Sequence, residues 1–414
     1  MLPALEQKFG TATSLEENER ELQRLLRARG IYFGDNVLPT YAYAFLAPEE
    51  RILHWAKQAE RLIDAAERAA NLLVTDSSFF DAMGLGKSAR ELVAVDPGYR
   101  RICVLCRPDG IPLGSDVKFV EVNSDSPAMM MFIDVVADCL LELDAFAWLR
   151  PKRPASAADR LFDTLLDCYR EQRGNSMPNI AIADWEGQKT RFEHQRLAEH
   201  FEKRGAATVV SDPRAFRRAN GALWLGDRRI DLVYRRALSS ELIERAAEIG
   251  PLLDSYRDGS VCMVNPLRSY VAGVKSVLSY LAVNGAGDVV PRTMLLDSDE
   301  KRDLVRSTSS KWVLKKSESH GGENVVLPSP ENHDEWHAAL AASSRDVWIA
   351  QEYLEIPKLA LPVVENGRMV EVEKHYNWNP FMFGGRYAGG LVRVSSTPLI
   401  NITLGGGLLP TFYK

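Results

Sequence analysis

The sequence predicts a multi-domain α/β (α+β) protein, and three observations carry that reading. Apolar residues recur at helical spacing through the first 75 positions. From Ser156 to Arg236 helix and strand signals alternate. From Val363 to Lys414 β-formers dominate, interrupted by Gly384-Gly385, Gly389-Gly390 and Gly405-Gly406-Gly407. A chain of 414 residues, 46% hydrophobic and 26% charged, is long enough for two or three cores and excludes a disulfide-stapled module or a disordered tail.

Near the N-terminus, Ser14 followed by Glu17 predicts a capping box for a helix over 15–29, with Gly30 as its closing residue. Ile52, Trp55, Ala56, Ala59, Leu62, Ile63 and Ala66 predict a second helix with one buried face. The period then changes. Residues 102–106 and 117–122 read as two short strands of an antiparallel pair, and Arg107-Pro108-Asp109-Gly110 reads as a turn. A buried helix over 128–148 follows, and Pro151 and Pro154 mark a boundary.

The middle segment predicts a small parallel α/β domain: helix 157–172, strand 180–185, helix 191–203, strand 208–210 and a last strand within 231–236. No G-x-G-x-x-G opens a helix there, so a dinucleotide fingerprint is absent. The last segment predicts a helix over 267–283 containing Lys275, strands near 312–315, 325–327 and 348–353, and a loop over 317–324. The expected division is 1–150, 151–262 and 263–414.

Composition also limits function. A net charge of -5 argues against a nucleic-acid-binding surface. No apolar run is long enough to span a membrane. Met1 to Gly10 contains Glu6 and Lys8 and has no continuous apolar stretch, so a secretory leader is not expected. The five cysteines are odd in number, which argues against a disulfide framework and for a cytoplasmic protein. Cys103-x-x-Cys106 has no second ligand pair for zinc and reads as part of a buried strand.

Two groups of residues are candidates for chemistry. The first is Arg107-x-Asp109 with Glu121-x-Asn123-x-Asp125-x-Pro127. Residues i and i+2 share a strand face, so Glu121 and Asn123 point the same way and a hairpin can bring Asp109 beside them. Two carboxylates and an amide are hard oxygen ligands of the kind Mg²⁺ takes, and Arg107 could hold the same phosphate. The spacing fits a solvated hairpin turn equally well. The second is Lys315-x₅-Gly321-Gly322, where a loop backbone can approach phosphates and Lys supplies a point charge. Gly84-Leu85-Gly86-Lys87-Ser88 is not a Walker A loop, because Asp81 stands where its first Gly is needed. The stretch 348–354 could offer backbone groups to an adenine edge or simply be a buried strand. Arg235-Arg236 could bind an anion or cap a helix, and His320 could contact a phosphate.

In this order the motifs resemble the circularly permuted ATP-grasp family, which includes the synthetase domain of glutathionylspermidine synthase. In ordinary ATP-grasp enzymes the Glu-x-Asn strand follows the ATP-binding Lys and hinge; here Glu121-x-Asn123 precedes them. Arg107-x-Asp109, Asn265-Pro266 with Lys275, Lys315 to Gly322, Gln351-Glu352, Arg393 and Asn401 to Gly407 are similar to the family's further motifs. Lys316 stands where the family usually has Pro, and no Cys-His amidase domain is present.

The resemblance implies an ATP- and Mg²⁺-dependent carboxylate–amine ligase working through an acyl phosphate. Asp109, Glu121 and Asn123 would hold Mg²⁺, and Arg107 would be catalytic. ATP would contact Lys275, Lys315, His320, Gly321, Gly322, Gln351, Glu352, Tyr353, Leu354 and Arg393. Asp125, Arg235, Arg236 and Asn401 would meet substrate. The partners implied are a small carboxylate and an amine: an amino acid, peptide or polyamine. A non-catalytic nucleotide binder and a small-molecule phosphotransferase are the alternatives.

Overall fold

Residues 11–319, 323–400, 402 and 406–414 are described by the computed structural model. Helix α1 (Ala12–Ala28) is capped by Thr11, whose hydroxyl accepts from the Ser14 amide at 3.1 Å. Ser14 thus sits in the first turn and is not the cap expected from the sequence. Gly30 closes the helix at φ +66°, a value open to glycine.

Strand β1 (Phe45–Ala47) leads into helix α2 (Glu49–Thr75), with Glu49 and Glu50 in its electropositive first turn. The apolar face read from the sequence is the buried one. It packs on a hairpin formed by β2 (Leu105–Leu113) and β3 (Asp116–Asn123), whose tip is fixed by bonds from Trp55 to the Ser115 carbonyl and from Gln58 to Asp116.

The turn of this hairpin is at Gly114, not at Arg107–Gly110. Those four residues lie within β2, despite the proline. Pro108 has no N–H for the ladder. The β2–β3 register shifts between Asp109 and Gly110, and a side chain at Gly110 would meet Val117 at 2.7 Å and the Trp378 carbonyl at 3.0 Å. A bulge and a glycine therefore let an interior strand carry proline.

Helix α3 (Met130–Glu142) ends earlier than expected, in a 3-10 segment over Asp144–Lys152. The middle segment has the predicted elements α4 (Ala157–Arg173), β4 (Ile180–Ala183), α5 (Arg191–Lys203), β5 (Thr208–Ser211) and β6 (Leu232–Arg235), and one more strand that was not expected, β7 (Cys262–Val264). Its parallel sheet has the order β7-β6-β4-β5. A short antiparallel meander over residues 217–230 was not anticipated.

A second four-stranded sheet is antiparallel, in the order β8 (Thr293–Leu295), β11 (Trp348–Glu352), β9 (Trp312–Lys316), β10 (Val325–Val326). The chain ends with β12 (Lys358–Glu365), β13 (Arg368–Phe383), β14 (Arg386–Ser395) and β15 (Gly407–Tyr413). These strands join the hairpin in the largest sheet, order β1-β15-β14-β13-β2-β3, with β12 also on β13. Residues from both ends of the chain thus build one sheet. Among the described residues no helix is long and apolar enough to cross a membrane.

Candidate active site

The large sheet places a row of polar side chains across four neighbouring strands. Arg393 on β14 lies opposite Asn377 on β13, and Asp109 on β2 lies opposite Glu121 on β3. Directly opposed side chains stand about 5 Å apart at Cβ. Arg393 is paired with Asp109 and donates to Asn379 at 2.9 Å and Asn377 at 3.3 Å. The Asn379 amide donates to Asp109 at 3.0 Å. Asn123 donates to the Arg107 carbonyl at 3.0 Å and to Asp109 at 3.3 Å, which leaves its own carbonyl oxygen as an acceptor.

Lys275 reaches this row because its helix breaks. The expected helix over 267–283 is two short ones, Tyr270–Gly273 and Val277–Leu281, separated by extended backbone at Val274. A side chain at Gly273 would meet Ser124 Oγ at 3.0 Å and the Val122 carbonyl at 3.2 Å. Glycine lets the segment close on the end of β3, and Lys275 then lies 3.1 Å from Glu121 and bonds the Ser319 carbonyl. Lys315 arrives from the other sheet. It donates to Gln351 at 2.6 Å and to the Val120 carbonyl at 2.8 Å, bridging both lobes.

Electrostatics follow from this crowding. Burial would lift the Glu121 carboxyl, but Lys275, Lys315 and Arg393 outweigh it and hold the acid well below the usual carboxylate range. Burial pushes Lys315 down to about 8, against the pull of Glu121 and with repulsion from Lys275. Arg107 is lowered to about 10, by burial first and then by Arg393. Four cations, Arg107, Lys275, Lys315 and Arg393, meet Asp109, Glu121 and, near Arg107, the buried Glu193, so the cations still outnumber the carboxylates. A buried positive surplus of this kind needs an anion to compensate it.

The cavity at this cluster has a volume of about 310 Å³. Arg107, Asp109, Glu121, Asn123, Lys315 and Arg393 form its polar wall, and Ile111, Val313, Leu327, Ile356 and Leu399 its apolar one. Gln351, Glu352, Tyr353 and Leu354 border it. The amides of Glu352 and Tyr353 already donate to the Arg292 and Lys311 carbonyls, each at 2.8 Å, so a base edge would find backbone donors only from Leu354 onward. Among the described residues no group of three His, Cys, Asp or Glu side chains forms a metal centre. The set of two opposed carboxylates and an amide oxygen, with Glu121 kept ionised, is nonetheless hard-oxygen chemistry that fits Mg²⁺ alongside phosphate.

A model of the circularly permuted ATP-grasp type 2 family matches residues 134–395. The chain belongs to this family. The matched span holds Lys275, Lys315, Gln351 and Arg393, whereas Arg107, Asp109, Glu121 and Asn123 precede it. A glutathione synthetase-like effector (GSS30) from Globodera pallida, in its apo form, shares the fold at 12% identity and a TM-score of 0.63, covering 97% of each chain. A RimK-domain ATP-grasp protein from Sphaerobacter thermophilus is 15% identical, over 54% of this chain and 91% of its own, at a TM-score of 0.32. D-cycloserine synthetase DcsG is 17% identical over 56% and 72%, also at 0.32. No curated protein matches the chain.

Other expected site residues of this ATP-grasp chain lie differently. Asp125, Arg235 and Arg236 were expected to meet substrate. The Asp125 carboxylate is held by Arg235 at 2.8 Å and by Ser239 at 2.6 and 2.8 Å. Arg235 is buried among the Asn265, Ala237 and Asp125 carbonyls, and Arg236 bonds the Pro127 carbonyl and the Tyr234 hydroxyl. All three brace the segment after β3, and Asp125 also lines a smaller cavity beside the first. His320, Gly321, Gly322 and Asn401 lie outside the described residues.

Asn377 and Asn379 were missed from the sequence, and Asn265, noted there with Pro266 as part of a motif, was given no role. Asn265 accepts from the Leu105 amide at 2.8 Å and donates to the Leu105, Ser124 and Asp125 carbonyls, pinning the entry of β2 to the exit of β3. The alternation Asn377-x-Asn379 with Arg393 was the available signal, since i and i+2 share a face. Glu193 was missed too. It caps α3 from a distance, accepting from Met129 and Met131 at 3.0 and 3.1 Å. It thereby holds Met129 at φ +85°, a strained value for a side chain of this size, in the cavity wall.

Proposed function

We propose that this protein is an ATP-dependent carboxylate–amine ligase that forms an amide or peptide bond through an acyl phosphate. The observation that carries the reading is the positive surplus around the opposed pair Asp109 and Glu121, inside a cavity whose far end is apolar and bordered by Gln351 to Leu354. A nucleoside triphosphate has this shape of charge: a polyanion at one end and a flat base at the other.

Asp109, Glu121 and Asn123 would hold Mg²⁺. When bound there, Mg²⁺ would neutralise phosphate charge and orient the terminal phosphate. Lys275 and Lys315 supply point charges from opposite sides. Arg393 fixes Asp109 and is fixed by Asn377 and Asn379, so the carboxylate cannot swing away. Arg107 is poised for the transferring phosphoryl group, because its planar fork can take two oxygens at once. The carboxylate substrate attacks the terminal phosphorus of ATP and ADP departs. The amine nitrogen then attacks the acyl carbon, the C–O bond to phosphate breaks, and inorganic phosphate leaves. No protein nucleophile takes part; the chain positions the reactants and offsets their charge.

The test is a screen of amino acids, peptides and polyamines for substrate-dependent ADP release, with mass analysis of the products. The expected product is an amide, and Glu121→Ala should abolish turnover while leaving the fold intact. A phosphorylated acid or alcohol that persists without amide formation would replace the ligase with a phosphotransferase. ATP turnover by Glu121→Ala at the parental rate would remove the metal assignment.

A further inference from the structure

Beyond the nucleotide cavity, on the far side of Arg107, Glu121 and Asn123, lies a second and smaller one of about 130 Å³. Its wall includes Ser124, Asp125 and Ala128 from the segment after β3, Tyr270 and Gly273 from the broken helix, and Ser317, Glu318 and Ser319 from the end of β9. The two chambers share Arg107, Glu121, Asn123 and Ala128. A molecule in the second chamber therefore faces the reacting end of the first.

The ionic groups of this chamber are not equivalent. Glu121 is matched by Lys275 and Asp125 by Arg235, both at ion-pair distance. Two charges remain that form no ion pair among the described residues. One is Arg107, on the shared wall, which bonds only the Ala128 carbonyl and whose buried Nε has no hydrogen-bond partner. The other is Glu318, an exposed residue at the chamber mouth whose carboxylate accepts from the neutral Tyr270 hydroxyl. The Tyr270 phenol is itself raised by burial and then by Glu318, so it stays protonated and serves only as a donor. The chamber thus has a cation on its shared wall and, away from that wall, a solvent-facing carboxylate with no cation partner among the described residues.

We propose that this chamber is the entry site of the amine substrate and that Glu318 binds it as an ammonium ion. This rests on the ligase reading above. The volume admits a small head group, not a whole peptide, so a longer substrate would insert its amino end only. Before attack the ammonium ion must lose a proton, and Glu318 is the carboxylate placed to accept it. The neutral nitrogen then bonds to the acyl carbon, phosphate leaves with the C–O electron pair, and the second N–H proton passes to phosphate or water.

The test uses the full-length protein and two probes of nearly equal size, methylammonium and methanol. Ligand-observed NMR titrations are run on the parent, Glu318→Gln and Tyr270→Phe, each with Mg²⁺ and a non-hydrolysable ATP analogue. Analogue binding is measured separately on each. The parent should bind methylammonium and not methanol. Glu318→Gln should weaken methylammonium roughly ten- to hundredfold, the loss of one charge-assisted bond, with analogue affinity unchanged. Tyr270→Phe should have a smaller effect of the same sign. Equal methylammonium binding by parent and Glu318→Gln, or no binding by the parent while the analogue still binds, would overturn the amine site alone. Failure of the parent to bind the analogue would instead remove the ligase reading beneath it. A thermal melt of Glu318→Gln matching the parent shows that the variant is folded.

Discussion

Arg107 and Arg235 are drawn to the same short segment, Asp125 to Ala128, and are used in opposite ways. Every nitrogen of Arg235 donates. Nε reaches the Asn265 carbonyl at 3.0 Å, Nη1 the Ala237 carbonyl at 2.7 Å, and Nη2 the Asp125 carbonyl and carboxylate at 3.1 and 2.8 Å. Arg107 spends one, on the Ala128 carbonyl at 2.8 Å, and faces two cavities. Both arginines stand at the end of a strand signal in the sequence. What separates them is saturation. A buried cation whose nitrogens are all engaged holds the chain together, and one with nitrogens to spare inside a cavity is placed for something that arrives later.

The largest effect that tests this contrast is on folding. Arg235→Met leaves Asp125 buried without its cation, and breaking such a pair costs about 3–5 kcal/mol. Urea unfolding should show that loss, while the fraction still folded binds an ATP analogue as the parent does. Normal stability with lost nucleotide binding would put Arg235 on the functional side of the comparison.

Arg107→Lys should do the reverse. Its stability should match the parent within about 1 kcal/mol, because lysine keeps the charge and can still donate to the Ala128 carbonyl. Its kcat should fall roughly 10²- to 10³-fold, the usual loss for one preorganised contact to transition-state charge, with little change in ATP affinity. The pair of measurements is a steady-state comparison and a nucleotide titration on the same preparation. If weaker ATP binding were the whole defect, Arg107 would be a ground-state contact.

The same contrast explains what was legible in the sequence. The parallel domain was legible because strand and helix periods alternate cleanly between residues 157 and 236. Asp109 beside Glu121 was legible as a possibility, yet the turn assigned to Arg107-Pro108-Asp109-Gly110 was wrong. Pro-x-Gly reads as a turn by local chemistry, and only the bulge and the close approach of Trp378 make it a strand. Asn379 and Asn377 were not legible, since their partners Asp109 and Arg393 are 270 and 16 residues away in sequence. The roles of Arg235 and Arg236 could not be read either. Saturation is a property of the tertiary neighbourhood, and nothing in the dipeptide reports it.

Lys315 offers the finest test, because two of its three donors are taken and it still lines the cavity. It bonds Gln351 and the Val120 carbonyl, but both partners are neutral, so its charge remains available to a phosphate. Burial lowers it to about 8, from an ordinary value near 10.4 in the unfolded chain. Between those values the unfolded chain carries a proton that the folded one has released. Stability therefore rises with pH across that window, as the cost of burying the ammonium group is relieved. Affinity for an ATP analogue moves the other way: once pH exceeds 8 the phosphate loses its counter-charge, and binding should fall by up to about tenfold per pH unit. Other groups titrate nearby, Arg107 among them at about 10, so the informative quantity is the difference between the parent and Lys315→Met. Methionine keeps the chain length and removes the charge. In that variant the pH-dependent gain in stability and the pH-dependent loss of affinity should both shrink together, with analogue binding weaker than the parent's below about pH 8 and converging on it above. Unchanged slopes in Lys315→Met would show that Lys315 stays charged in the folded protein throughout. It would then stand with Arg393, a cation fixed by its neighbours, and the division between saturated and available groups would have to be drawn by charge pairing and not by hydrogen-bond count.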